Sequence, residues 1–309
     1  MSSNTDTPPL AKYFASTEKK TRDKAVKNLA AFLSEAPGNA LSRSEMDKLW
    51  KGIFYCFWMS DKPLVQQALA SELAELLLAV SSTTASLAFL RGFWTTIVRE
   101  WNGIDRLRID KFYLLIRRFV NASFRLLIKA NWDEKTCSAY NSLLISEGGP
   151  LHPTDVRVPM GLPGHLSDVY LEELEKAISA TSEQSPLPVP LGILLDPFFA
   201  LMAQTSSNSI YKRIESSLLK PLLDDLSLIL RSDDELTLER ARMEPRTYPN
   251  LVARTCMANP QGPGSMDQYL MKRNILRSVF EIASRPETKD VSRRKMYRLW
   301  KEEGDGDED

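Results

Sequence analysis

Apolar residues recur at spacings of three and four along most of the chain, which is the period of an amphipathic helix. Val26, Leu29, Phe32 and Leu33 share one face of a segment that Pro37-Gly38 ends. A second helix opens at Ser42-Arg43-Ser44-Glu45, a capping-box pattern in which hydroxyl and carboxylate satisfy free backbone amides. It carries Met46, Leu49, Trp50, Ile53, Phe54, Phe57 and Trp58 on a wide apolar face. Asp61 and Pro63 mark the next start, followed by Leu64, Val65, Ala68, Leu69, Leu73, Leu76 and Leu77. A fourth helix runs from Leu87 to Trp101. Asn102-Gly103 breaks it, offering a left-handed terminal residue, and Asp105 caps a long helix that includes Leu107, Ile109, Phe112, Leu115, Ile116, Phe119 and Val120. Another starts near Asp133.

Residues 148–166 are rich in Gly and Pro, and a short helix from Ser167 to about Ala180 follows. Prolines 186, 188 and 190 form a second break. Helical periodicity returns over 191–204, interrupted at Pro197, and over 210–230, interrupted at Pro221. No period-two alternation calls for a strand in the first half. The pattern predicts an all-α fold of stacked antiparallel helices, a scaffold resembling HEAT or armadillo repeats, although no sequence repeat is visible. The expected organisation is a disordered stretch at 1–9, a helical scaffold at 10–230, a long loop at 231–264, C-terminal helices at 265–300 packing on the scaffold, and an acidic tail at 301–309.

Composition narrows the function classes. Cys56, Cys137 and Cys256 are few and scattered, which argues against a disulfide framework and for a reducing compartment. The histidines are His152 and His165, too few for a paired zinc site. There is no phosphate-binding glycine loop, nucleophile elbow or H-E-x-x-H pair, so no catalytic residue, metal or cofactor is assigned. Adjacent carboxylates at Glu172/Glu173, Asp224/Asp225 and Asp233/Asp234 point apart on a helix and read as solvated faces. No secretory signal or membrane span is apparent, so a soluble intracellular protein is expected, without membrane or small-molecule partners.

Forty basic and forty acidic residues cancel, but they are not evenly spread. Between Arg99 and Lys129, the basic residues Arg99, Arg106, Arg108, Lys111, Arg117, Arg118, Arg125 and Lys129 face only Glu100, Asp105 and Asp110, a net +5. Between Lys272 and Arg298 nine basic residues face three acidic ones, a net +6 that includes the Arg293-Arg294-Lys295 run, a weak nuclear-import signal. Two readings stand. One is a solvated surface with intrahelical pairs such as Arg106 with Asp110; the other is a surface for phosphate or an acidic partner. On the second, Arg99, Arg106, Arg108, Lys111, Arg117, Arg118 and Arg125 are the candidate partner- or RNA-binding residues, because burying an unpaired cation is costly.

The strings LWKGIFYCFWMSDKP (49–63), FWTTIVREWNGIDRLRIDKFYLLIRR (93–118) and VPMGLPGHLSDVYLEELEKA (158–177) closely resemble the ribosomal RNA-processing protein 1 family of eukaryotic nucleolar proteins. The similarity runs from about residue 10 to residue 230. It implies a nucleolar, non-enzymatic assembly factor of early large-subunit precursors, required for maturation of their RNA. The resemblance further implies an all-helical scaffold that docks with other assembly factors, including a WD-repeat protein and Brix-domain proteins. Precursor rRNA is a further possible contact. Beside this reading stand a direct RNA-binding protein using the basic helical face and, third, a nuclease whose convergent carboxylates a sequence cannot display.

Overall fold

The computed structural model describes residues 13, 14, 16, 18–35, 42–80, 82–181, 187–227, 246–258, 260 and 265–304, and the fold is all-α. The described residues belong to two compact units, one ending at Leu126 and the other starting at Leu127. The stretch 1–9, most of the expected 231–264 loop including Asp233/Asp234, and residues 305–309 lie outside the described residues.

In the first unit the helices are α1 (Lys19–Glu35), α2 (Arg43–Trp58), α3 (Pro63–Ala79), α4 (Thr83–Glu100) and α5 (Ile109–Lys129), whose last turn crosses the unit boundary. Their starts follow local chemistry. Ser42 and Glu45 form the expected reciprocal cap of α2, Pro63 occupies the first turn of α3, and the Ser82 hydroxyl caps α4. Helices in contact are often next but one in sequence, α1 with α3 and α2 with α4, as in a stack of helical hairpins.

Aromatic rings fill the space between α2, α4 and the first half of α5. Trp50 lies 4.5 Å from Phe89, Phe93 stacks on Phe119 at 3.8 Å, and Phe54 stacks on Phe112 at 4.9 Å. Trp50, Phe54, Trp94 and Trp101 are buried as their helical spacing predicts, whereas Trp58 is half-exposed at the end of its helix. Asn102-Gly103 ends α4 differently from expectation. Trp101–Gly103 forms a 3-10 turn, with Ile104 N–H donating to Trp101 O at 3.0 Å and no left-handed residue. Left-handed backbone occurs instead after α5, at Asn131 (φ 51°) and Trp132 (φ 54°). Such strain in non-glycine residues needs compensation, and the Trp132 side chain is 3% exposed.

The second unit contains α6 (Glu134–Ile145), α7 (Gly161–Ser179), α8 (Leu191–Gln204), α9 (Asn208–Ile214), α10 (Lys220–Ser227), α11 (Pro249–Ala253), α12 (Gln268–Ser284) and α13 (Asp290–Gly304). Two-residue strands β1 (Val189–Pro190) and β2 (Thr255–Cys256) pair in parallel, so part of the expected long loop is structured. Asp133 caps α6 through Thr136 N–H at 3.0 Å, as its sequence position implies. Helix α7 begins six residues before the expected Ser167, because Pro163 falls in its first turn, where a missing N–H leaves no carbonyl unpaired. Helix α13 continues through Gly304 and takes in the start of the expected tail.

Pro197 does not interrupt its helix as the sequence suggests, whereas the segment holding Pro221 is interrupted just before it. Pro197 cannot donate to the Ile193 carbonyl, but Asn141 Nδ2 from α6 does so at 2.6 Å. The Tyr170 hydroxyl of α7 donates to the next carbonyl, Leu194 O, at 3.0 Å. Pro221 is accommodated by a π-helical turn at Glu215–Leu219, which joins α9 to α10 and shifts the register of the ladder. Helix α8, apolar on nearly every side, is in contact with α6, α9, α12 and α13.

Gly92 of α4 faces Trp50 and Met46 of α2, and a Cβ there would overlap the indole. The close approach of α2 and α4 therefore needs a residue without a side chain. Gly92→Ala is expected to destabilise the chain by about 1–3 kcal/mol despite alanine's better helix propensity. Chemical denaturation of the variant measures this.

Candidate partner interface

Two of the strings noted in sequence meet within the first unit. The turn after α2 (Trp58 to Lys62) lies against the segment that leads into α5 (Asp105 to Lys111). Lys111 Nζ donates to Trp58 O at 2.6 Å and Ser60 O at 2.9 Å, and stands 5.7 Å from the centre of the Phe57 ring. Gln66 Nε2 of α3 donates to Ser60 O at 2.9 Å and Asp61 O at 3.1 Å. Carbonyls left free at the end of α2 thus find donors on two other helices.

Lys111 therefore corrects an expectation: it is 5% exposed and not available to a partner. The cost argument used for unpaired cations does not apply, because two carbonyls solvate its ammonium. Burial pushes its pKa from 10.5 down to about 8, with Asp61 opposing and Arg108 adding to the fall.

The next departure is local. Residues 105–108 form a turn and α5 starts at Ile109. Asp105 Oδ1 accepts from Leu107 N at 3.0 Å and Arg108 N at 3.1 Å, and Oδ2 pairs with the Arg108 guanidinium. Partial desolvation works against this carboxylate, but the Arg108 contacts and the backbone amides hold its pKa below the usual value. Arg108 also lies 5.0 Å above the Trp58 ring. The pair formed is thus Arg108 with Asp105, in place of the expected Arg106 with Asp110.

The remaining candidates divide by environment. Arg99 pairs with Glu100 at 2.8 Å and Arg125 with Glu75 of α3. Arg117 is half-buried. Arg106 and Arg118 are exposed, and neither meets an acidic side chain among the described residues. Leu107, expected on the apolar face of the helix, is instead 91% exposed, and Leu64 is 79% exposed. Helical phase does not apply to the turn holding Leu107, so the sequence contained no signal for this apolar projection.

Several charges elsewhere also have internal partners. In the second basic segment Lys272 is buried, Arg293 donates to Ala283 O, Arg285 O and Thr288 O, and Lys295 donates to Asn208 Oδ1. The Arg293-Arg294-Lys295 run is part of α13 with two of its three residues engaged. Two carboxylates expected to be solvated are internal: Glu173 is 2% exposed and bridges to Lys176, and Asp225 accepts from Thr247 N and Tyr248 N. His152 Nδ1 accepts from Asp155 N at 2.9 Å, a turn-stabilising role. Among the described residues, no three His, Cys, Asp or Glu side chains converge as a metal site, and no helix is long and apolar enough to cross a membrane.

Lys111→Met removes the donor from Trp58 O and half the satisfaction of Ser60 O. A loss of about 1–3 kcal/mol is expected in denaturant unfolding. The native lysine should titrate near pH 8 when followed by NMR at its Cε. Since the unfolded side chain retains its proton to about 10.5, this residue makes stability rise as pH increases from 8 towards 10.5. The Lys111→Met variant should lack that increment.

Comparison with known proteins places this geometry in a family. Residues 5–258 match the family described as "Nucleolar protein, Nop52". The human Ribosomal RNA processing protein 1 homolog A is 30% identical over 339 aligned positions, covering 97% of this chain and 71% of the relative. Its mouse counterpart is 35% identical over 226 positions, covering 72% of this chain and 44% of the relative. The human homolog B is 30% identical over 326 positions, covering 94% and 42% respectively. The chain thus spans most of the first relative's length and less than half of the other two. With the match extending over most of its length, the chain belongs to the Nop52 family of nucleolar proteins.

Proposed function

We propose that the chain is a non-catalytic scaffold of early nucleolar large-subunit precursors, and that it contributes to ribosomal RNA processing by holding other assembly factors. The observation that carries this reading is the family match over residues 5–258, with relatives named for ribosomal RNA processing. WD-repeat and Brix-domain proteins are the partner classes proposed.

The contact surface we assign is the turn before α5 with the outer face of that helix. Lys111 and Arg108 fix the turn from inside, while Arg106 and Leu107 project from it and Arg118 stands free on α5. Arg99, Arg117 and Arg125 form its charged surroundings. An exposed leucine beside an arginine favours a protein partner with an acidic rim, since apolar area adds little to phosphate binding. Direct RNA binding remains the second reading, favoured by the unneutralised Arg106 and Arg118.

Affinity purification from cells tests both. Arg106→Glu with Arg118→Glu should leave the fold intact and lower recovery of large-subunit precursor RNA and assembly factors by about tenfold, the effect of ~1.4 kcal/mol. Leu107→Ala should weaken recovery as well if the partner is a protein. If RNA is the ligand, Leu107→Ala should have no effect, and the double reversal should flatten the salt dependence of binding to isolated precursor RNA. Wild-type recovery of precursors by a folded double variant would sink the assignment of this surface.

A further inference from the structure

On α13 the buried positions are Ser292, Met296 and Leu299, and on α12 they include Ile275, Val279 and Ile282. Trp300 and Phe280 fall beside these inward faces, and they are 41% and 40% exposed. Helical phase thus leaves two large rings open to solvent, and contiguous exposed apolar surface marks an interaction site.

The rings form a group. Phe280 lies 4.9 Å from Trp300 and 5.3 Å from half-buried Tyr297, measured between ring centres. The Tyr297 hydroxyl shares a hydrogen bond with Ser284 Oγ at 3.1 Å. All three contacts cross from one helix to the other, so both helices hold the rings in place and little order is lost when a ligand covers them.

Cations continue the stripe. Arg273, Arg277 and Phe280 are spaced four and three residues apart on α12, which sets them on one face, and Lys301 follows Trp300 on α13. The three cations are exposed. Arg277 pairs with Glu281 at 2.8 Å, at an open site where such a pair contributes little. Arg273 and Lys301 meet no acidic side chain among the described residues, and Glu302, beside Lys301, is engaged by Arg298 at 3.6 Å.

A ligand matching this surface carries negative charge along its length and flat apolar faces between the charges. An acidic peptide answers the cations but gives the rings nothing to stack on. An apolar helix covers the rings and leaves the cations unmatched. A nucleic-acid single strand supplies both, phosphates for the cations and unpaired bases for the rings, whereas a duplex turns its base faces inward. The exposed leucine of the first unit offers no such face, so the two surfaces differ in kind.

We propose that the α12–α13 hairpin binds single-stranded RNA, with bases stacking on Phe280 and Trp300 and phosphates held by Arg273, Arg277 and Lys301. The choice of RNA over DNA rests on the reading of the chain as a ribosomal RNA processing factor; the site itself does not depend on the surface assigned to the first unit.

The test uses the full chain and fluorescein-labelled decauridylate, followed by anisotropy. Trp300→Ala should weaken binding about tenfold, the effect of losing one stacked base. Trp300→Phe should keep binding within about threefold while abolishing the quenching of tryptophan emission that accompanies it. Arg273→Gln with Lys301→Gln, both at exposed positions that leave the fold intact, should lower the slope of log K against log salt by about 1.4, as two contacts to a single strand do. Lys48→Gln, at an exposed cation of α2, should change nothing. Wild-type binding by folded Trp300→Ala, or a wild-type salt slope in the double variant, would overturn the site. Equal affinity for a duplex of the same length would overturn the single strand. Hexaglutamate binding that matches the oligonucleotide and ignores Trp300→Ala would replace RNA with an acidic peptide. Loss of binding in Arg106→Glu with Arg118→Glu, while Trp300→Ala binds as wild type does, would move the RNA contact to the first unit.

Discussion

The ammonium of Lys111 ties the start of α5 to the end of α2, and the candidate interface depends on that tie. Its two bonds reach across 53 and 51 residues of sequence to Trp58 O and Ser60 O. They close carbonyls that the end of α2 leaves open, and Gln66 closes them further from α3. With this turn held, Arg108 stands over the Trp58 ring, and Arg106 and Leu107, in the turn that Asp105 caps, are exposed. The charged string at 105–111 thus has an inner half that builds the fold and an outer half that faces solvent.

Such a division explains what could be read from the chain alone. Helices, their capping residues at Ser42 and Asp133 and the aromatic core were legible because each depends on neighbours three or four positions away. The fate of an individual charge was not. Lys111, Glu173 and Asp225 look like surface residues by type, and each is buried against groups whose positions only the fold determines. Charge counting identified a basic region correctly as a region, yet it could not separate cations engaged with backbone from those left outside. The Gly/Pro-rich crossing misled for a related reason: Pro163 marks a helix start, and its effect depends on which turn it occupies.

The contact between Asn141 and Ile193 lay beyond sequence reasoning altogether. The two are 52 positions apart, and neither belongs to a motif. Their association follows from α6 meeting α8, and nothing local announces it. The same contact gives the Ile193 carbonyl the donor that Pro197 cannot supply.

That bond also bears on where the integrity of α8 resides. Helix α8 passes through Pro197 without a break, and Asn141 and Tyr170 supply donors to the Ile193 and Leu194 carbonyls beside it. In an isolated stretch the Ile193 carbonyl would turn to water, because the proline has no N–H to offer it. Part of what makes α8 one helix is therefore written in the side chains of α6 and α7, so a change at Asn141 is felt in a helix to which it does not belong.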